Sequence, residues 1–133
     1  MSKSIDDLIE AAAKAQAAAY APYSDHPVGA AILDDLGDLY TGCNVENAAF
    51  PEGVCAEASA ISAMVLAGGR RIEAIAVIGP GPALCTPCGG CRQKIREFGQ
   101  AETLILICGP EGLEAEFSLD ELLPASFGPE NMG

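Results

Sequence analysis

The sequence has no tryptophan, one histidine, and only 7 basic residues against 19 acidic ones. The lone His26 excludes a metal centre built on several imidazoles. A formal net charge of −12 argues against a phosphate-binding surface, because nucleic-acid affinity rests largely on Lys and Arg neutralising phosphates. No nucleic-acid partner is expected, and the simpler use of an acidic surface is solubility. The chain does not open with a basic segment followed by an apolar run. Its alanine-rich stretch 5–20 carries Asp6, Asp7, Glu10 and Lys14, so it reads as neither a signal peptide nor a membrane span. No membrane partner is expected. There is no Gly-rich phosphate loop and no basic cluster. Gly and Pro, at 15 and 9 of 133 residues, are too few for a disordered chain.

What is present is half hydrophobic, and 133 residues are enough for one domain, residues 1–133, with a real core. Six cysteines stand out. A cytoplasmic setting, which the missing signal suggests, keeps thiols reduced, so the cysteines point to metal or catalysis. The rival, a secreted disulfide framework, fits poorly with so ordinary an apolar content.

Ser4-Ile5-Asp6-Asp7 resembles a capping box, and Ile5, Leu8, Ile9, Ala12 and Ala13 recur at helical spacing. That helix should end before Pro22. Val28 to Leu33 reads as a strand, Asp34-Asp35-Leu36-Gly37 as a turn, and Asp38 to Cys43 as the returning strand of an antiparallel hairpin. Val54 to Ala67 reads as a helix stopped by Gly68-Gly69. Ile72 to Ile78 is a strand, and Gly79-Pro80-Gly81-Pro82 is loop. Pro87 introduces a helix from about Cys88 to Phe98. Thr103 to Cys108 is a buried-type strand, Ala115 to Phe117 a short final one, and Ser118 starts a last short helix ending near Pro124. The order predicts an α/β fold in three layers, a central mixed five-stranded sheet flanked by helices.

Cys55-Ala56-Glu57, with Pro87-Cys88-Gly89-Gly90-Cys91 further on, offers three thiols and a carboxylate. Catalytic Zn²⁺ takes three protein ligands and leaves a fourth position for water. Cys88 and Cys91 fall one turn apart at a helix start, where the helix dipole favours thiolates, and Cys55 falls near the start of another helix. Three thiolates leave the ion's surroundings near −1, which two helix N-termini and Arg92, beside Cys91, would temper. The alternative for Arg92 is an ordinary surface arginine. Two rival uses involve Cys85: a structural Cys₄ zinc site, or a Cys85–Cys88 redox pair. Cys85 precedes Pro87, outside the helix that would orient the later pair. The redox pair would leave Cys91 and Cys55-Ala56-Glu57 unused. Cys43 and Cys108 read as small buried core residues. Glu57 would take a proton from a water acidified by zinc and pass it on. Its alternative is a solvated helix glutamate. The ordering Cys-x-Glu…Pro-Cys-x-x-Cys resembles the signature of zinc nucleobase deaminases.

Further stretches carry a closer resemblance. Pro22-Tyr23-Ser24 with Pro27-Val28-Gly29-Ala30, Gly42-Cys43-Asn44-Val45-Glu46-Asn47-Ala48, Cys91-Arg92-Gln93 and Leu122-Leu123-Pro124 with Phe127 make the chain similar to the small homotetrameric cytidine deaminases. The resemblance implies a zinc hydrolase of pyrimidine salvage. It would convert cytidine or 2′-deoxycytidine to the uridine product and ammonia, in a homotetramer whose pockets are shared between subunits. It implies that Asn44 and Glu46 hold the ribose 3′-hydroxyl, where the plainer reading is a turn Asn and a solvated Glu. The backbone of Ala56 would contact the base. Phe127 would reach a neighbour's pocket, where the plainer reading is a core phenylalanine.

Three positions depart from the family pattern. His26 stands where a phenylalanine normally packs against the nucleoside, and its plainer reading is an exposed loop residue. Ala58 stands where an arginine often tempers the thiolates, which leaves more to Arg92. Phe50 stands where tyrosine is common. These changes could shift preference among cytidine, deoxycytidine and other aminopyrimidine nucleosides, a blasticidin-like antibiotic among them. A non-enzymatic zinc-stabilised interaction domain is the reading of a different class.

Overall fold

The computed structural model describes residues 4–133. Helix α1 (Ile5–Ala17) begins with a true capping box: the Ser4 side chain accepts from the Asp7 amide, and Asp7 returns the bond to the Ser4 amide. Strands β1 (Gly29–Asp34) and β2 (Leu39–Cys43) form the predicted hairpin. Buried Asp34 holds the turn together, its Oδ1 accepting from the amides of Leu36 at 3.0 Å and Asp38 at 2.8 Å. Helix α2 (Ala56–Leu66), strand β3 (Ile72–Ile78), helix α3 (Gly89–Phe98), strands β4 (Leu104–Gly109) and β5 (Gly112–Ser118), and the short helix α4 (Leu119–Leu122) follow. The five strands form one mixed sheet in the order β2-β1-β3-β4-β5, and only the β3–β4 pair is parallel.

The pleat sorts side chains onto two faces, as a period of two requires. Ala30, Ile32, Ile75, Val77, Ile105 and Ile107 pack with Ala60, Met64, Ile95 and Leu119 under α2, α3 and α4. Ala31, Ala74, Ala76, Leu106 and Cys108 pack with Leu8 and Ala12 of α1 on the other side. The three layers are those the element order predicts. Cys108 is buried in the second core, as expected, whereas Cys43 at the end of β2 is only half-buried.

Register decides where the loops meet. Gly29 at the start of β1 pairs with Cys43 at the end of β2 and with Ile78 at the end of β3. His26 before β1, Asn44 after β2 and the loop after β3 therefore leave the sheet at the same end. Helix α2 sits close over that end. A Cβ on Gly42 would lie 2.7 Å from the Ala56 carbonyl oxygen and from Ser59 Cβ, so only glycine lets the first turn of α2 approach β2 this closely.

Candidate metal centre and active site

Cys55 is the N-cap of α2 and Cys88 the N-cap of α3. Both helices start one residue later than their cysteines. Neither cap makes a side-chain hydrogen bond to its helix, so both sulfurs are free to face something else. With Cys91, one turn into α3, they form a group whose sulfur atoms all lie within 4.8 Å of one another. Tetrahedral thiolates about Zn²⁺ at about 2.3 Å have sulfurs roughly 3.8 Å apart, so the group fits that ion. Among the described residues it is the one cluster of three or more His, Cys, Asp or Glu with such spacing, and Cys85 is outside it. Cys91 is buried, while Cys55 and Cys88 are exposed.

The thiols differ in acidity for local reasons. The polar backbone amide of Cys91, near Cys88, is the largest effect on its thiol and pulls it below the ordinary value. Burial pushes Cys91 up strongly, reinforced by the nearby charge of Glu57. Burial also raises Cys55. Metal binding must displace these protons, and two helix N-termini directed at one group favour the thiolates that result.

Glu57 is 4% exposed, in the first turn of α2. Burial raises its carboxyl, opposed by its own backbone amide, by a hydrogen bond with the Cys91 side chain, and by the charge of Lys94. A carboxyl lifted toward neutrality exchanges protons in either direction at low cost. Lys94 belongs to no motif in the sequence, yet its charge acts on Glu57. Its spacing from Cys91 on α3, one helical turn, is the signal that could have found it.

The other candidates divide between two neighbouring regions. Asn44 is locked to the backbone: its Nδ2 donates to the His26 carbonyl at 3.0 Å, and its Oδ1 accepts from Val28 N at 2.9 Å. Glu46 accepts from the amides of Tyr23 at 2.9 Å and Ser24 at 3.2 Å, and from the Ser24 hydroxyl. The Ser24 hydroxyl bond is the main reason its carboxyl lies below the usual range. Glu46 borders an open cleft of about 360 Å³, walled by Tyr23, Ser24, Asn47, Phe50 and Gly53. The Tyr23 and Phe50 rings meet edge-on at 5.9 Å. That aromatic wall depends on tertiary contact and left no trace in the sequence. The cleft does not extend to the thiols. Ala56 is fully buried as the first residue of α2. His26 is exposed, with Nε2 3.8 Å from Cys85 Sγ.

Arg92 and Phe127 take part in the ties between α3 and the C-terminal segment. The Arg92 guanidinium donates to the carbonyls of Pro87 at 2.7 Å and Leu122 at 2.9 Å, tying the loop before the helix to the C-terminal segment. Phe127 is 58% exposed, so it is no core residue of this chain. Its carbonyl accepts from Gln93 at 2.9 Å. Arg96 holds the segment on either side of it, through the Ser126 hydroxyl at 3.0 Å and an ion pair with Glu130.

A three-layer α/β fold that gathers three thiols at two helix N-termini beside a buried carboxylate defines a metal-dependent hydrolase. Residues 2–107 match the family model for the cytidine and deoxycytidylate deaminase zinc-binding region. The chain belongs to that zinc-binding deaminase family and is an enzyme. It is 38% identical over 128 residues to a cytidine deaminase of Sporosarcina psychrophila, covering 96% of this chain and 94% of the relative. It is 40% identical over 121 residues to a cytidine deaminase of Mycobacterium tuberculosis, covering 91% and 87% respectively. A crystal structure of cytidine deaminase from Burkholderia pseudomallei superposes with a TM-score of 0.89 at 39% identity, covering 94% of this chain and all of that one. Among the described residues no helix is long and apolar enough to cross a membrane.

Proposed function

We propose that this enzyme hydrolyses cytidine and 2′-deoxycytidine to the uridine product and ammonia. The observation that carries the reading is buried Glu57 set against three clustered thiols, in a chain of the zinc-binding deaminase family. Cys55, Cys88 and Cys91 would hold the zinc, which when bound supplies Lewis-acid activation of water. Glu57 takes one proton of the attacking water and delivers it to ring N3, then carries the remaining hydroxyl proton at C4 to the departing amine as the carbonyl forms. A carboxyl raised by burial suits that alternation of base and acid. Asn44 and Glu46 hold the sugar, with Glu46 kept ionised by Ser24. The backbone of Ala56 and the ring of His26 meet the nucleoside. Arg92 contributes positive charge near the thiolates.

Residues 1–133 act as one catalytic domain in this reading, in the cytoplasm, and the working unit is a homotetramer with pockets completed by neighbours. Exposure of Phe127 at 58%, Phe50 at 73% and Tyr23 at 53% supports shared pockets, since such rings are costly to leave in water. Ultraviolet absorbance of purified protein mixed with cytidine, 2′-deoxycytidine and a panel of aminopyrimidine nucleosides tests the reading. Loss of the aminopyrimidine band with cytidine is expected, and no change with any of them removes the hypothesis. Cys85→Ser separates the catalytic three-thiol site from a structural Cys₄ site. One zinc per subunit should remain, and metal loss would favour the Cys₄ site.

A further inference from the structure

We propose that His26 reads the 2′-hydroxyl of a ribonucleoside, with its ring oriented by Cys85, so that the enzyme prefers cytidine to 2′-deoxycytidine. The inference rests on the nucleoside reading above and concerns the sugar that site selects. His26 stands between the two ends of that site. Its amide donates to Ser24 Oγ at 3.1 Å, and its carbonyl accepts from Asn44 Nδ2 at 3.0 Å. Ser24 in turn binds Glu46, so the His26 backbone is fixed by the two residues assigned to the sugar and by the serine between them. Those backbone ties set His26 beside Ser24 and Asn44, on the sugar side of the site. Its Nε2 lies 3.8 Å from Cys85 Sγ. Cys85 is half-buried, and Glu57 and Cys55 both act on it electrostatically, so it faces the reaction end.

One ring nitrogen is therefore taken by a thiol, and among the described residues the other has no hydrogen-bond partner. A thiol is a weak donor. With Cys85 S–H directed to Nε2, the ring proton stays on Nδ1, which becomes a donor on an exposed ring. The sugar group adjacent to a 3′-hydroxyl held by Asn44 and Glu46 is the 2′-hydroxyl, whose oxygen can accept that proton. A phenyl ring at this position could do neither. The Cys85 contact also uses space at the sheet end that leaves little slack: a Cβ on neighbouring Gly79 would lie 2.8 Å from Cys85 Sγ and 3.8 Å from His26 Nε2.

One net hydrogen bond corresponds to about fivefold to tenfold in selectivity. The experiment compares kcat/KM for cytidine and 2′-deoxycytidine, and Kd for uridine and 2′-deoxyuridine by calorimetry, in the intact enzyme and in His26→Phe, Cys85→Ala, Cys85→Ser and the His26→Phe/Cys85→Ala double variant. Wild type should favour the ribose form in both measurements, and His26→Phe should bring both ratios close to one. Cys85→Ala should lower the ratio through KM, while Cys85→Ser, which keeps a donor, should restore it. The double variant should match His26→Phe, because the two residues act on one contact. A wild type without ribose preference, or ratios that His26→Phe does not move, overturns the proposal. Cys85→Ala and Cys85→Ser behaving alike removes the orienting role of Cys85. Turnover of neither nucleoside by wild type would instead sink the deaminase reading itself.

Discussion

Cys55 and Cys88 hold the same position, the N-cap, on two different helices, and their sulfurs lie within 4.8 Å of each other. Each therefore sits at the positive end of a helix dipole without being consumed by the cap bond that Ser, Thr, Asn or Asp would make there. Register brings the two caps together. The end of β2, which leads toward α2, and the end of β3, which leads toward α3, are both aligned with Gly29. The missing arginine at Ala58 is thus offset by an arrangement that already contributes two helix ends.

Loss of one thiol should remove the metal and weaken the fold. Cys91→Ser alters the buried member of the group, so it should abolish stoichiometric zinc by elemental analysis. A ligand held at a thousand times its Kd stabilises by about 4 kcal/mol. A chelator should therefore lower Tm markedly in wild type and leave the variant unmoved. Equal chelator shifts in both proteins would count against these ligands.

Replacing the buried carboxylate separates chemistry from structure. Glu57→Gln keeps the shape of a side chain only 4% exposed but cannot exchange protons. The expected loss in kcat is on the order of 10²- to 10⁴-fold, with zinc content and Tm near wild type. A variant that keeps zinc and still turns over cytidine normally would show that Glu57 is not the proton carrier.

Much of this centre was legible because its signals are local. The Cys55 and Cys88 positions follow from helix starts, and Pro87 marks the second of them. What was missed depends on distant parts of the chain. Strand β5 runs Gly112–Ser118 rather than the three residues read from sequence, because it is an edge strand whose half-exposed face carries Glu114 and Glu116. An apolar-run reading sees only its inner residues, Ala115 and Phe117. The Tyr23–Phe50 wall, the Ser24–Glu46 bond and the His26–Cys85 contact join segments 22 to 59 residues apart, and no short-range pattern announces them.

The close approach of β2 and α2 makes Gly42 a sensitive position although it carries no chemistry of its own. Gly42→Ala sets a methyl group 2.7 Å from the Ala56 carbonyl oxygen, against backbone that has no rotamer to yield. Overpacking of this kind costs about 1–3 kcal/mol. Because α2 carries both Cys55 and Glu57, kcat should fall along with stability. Denaturant unfolding and steady-state kinetics read the two effects. A stable variant with unchanged kcat would show that α2 moves freely over the sheet.

The Ser24–Glu46 tie should also appear in the pH dependence of stability. Glu46 has its carboxyl below the usual range, chiefly through the Ser24 hydroxyl. The folded value lies beneath the unfolded one, so the tie's contribution is complete above the unfolded value. It is lost as the pH falls through the folded value. The Tm difference between wild type and Glu46→Gln should therefore hold across neutral pH and shrink under acid, below about pH 4. A difference that grows on acidification would contradict the assignment.

Phe127 provides the test of shared pockets. It is 58% exposed, yet its backbone is pinned by Gln93 and its flanks by Arg96, both on the helix that carries Cys91. Gly128 beside it packs so closely on the Arg96 guanidinium that a Cβ there would collide with it. An exposed ring on a fixed backbone is placed for another molecule, not for its own core. Stacking on a base is worth about 1–3 kcal/mol, so Phe127→Ala should raise KM roughly tenfold or more with zinc unchanged. The decisive form mixes subunits. Phe127→Ala chains keep Glu57, and Glu57→Ala chains keep Phe127, so hybrids of the two should contain sites with near-wild-type KM that neither parent has. If the hybrids show only the KM of the Phe127→Ala parent, the ring serves its own subunit and the pockets are not shared through it.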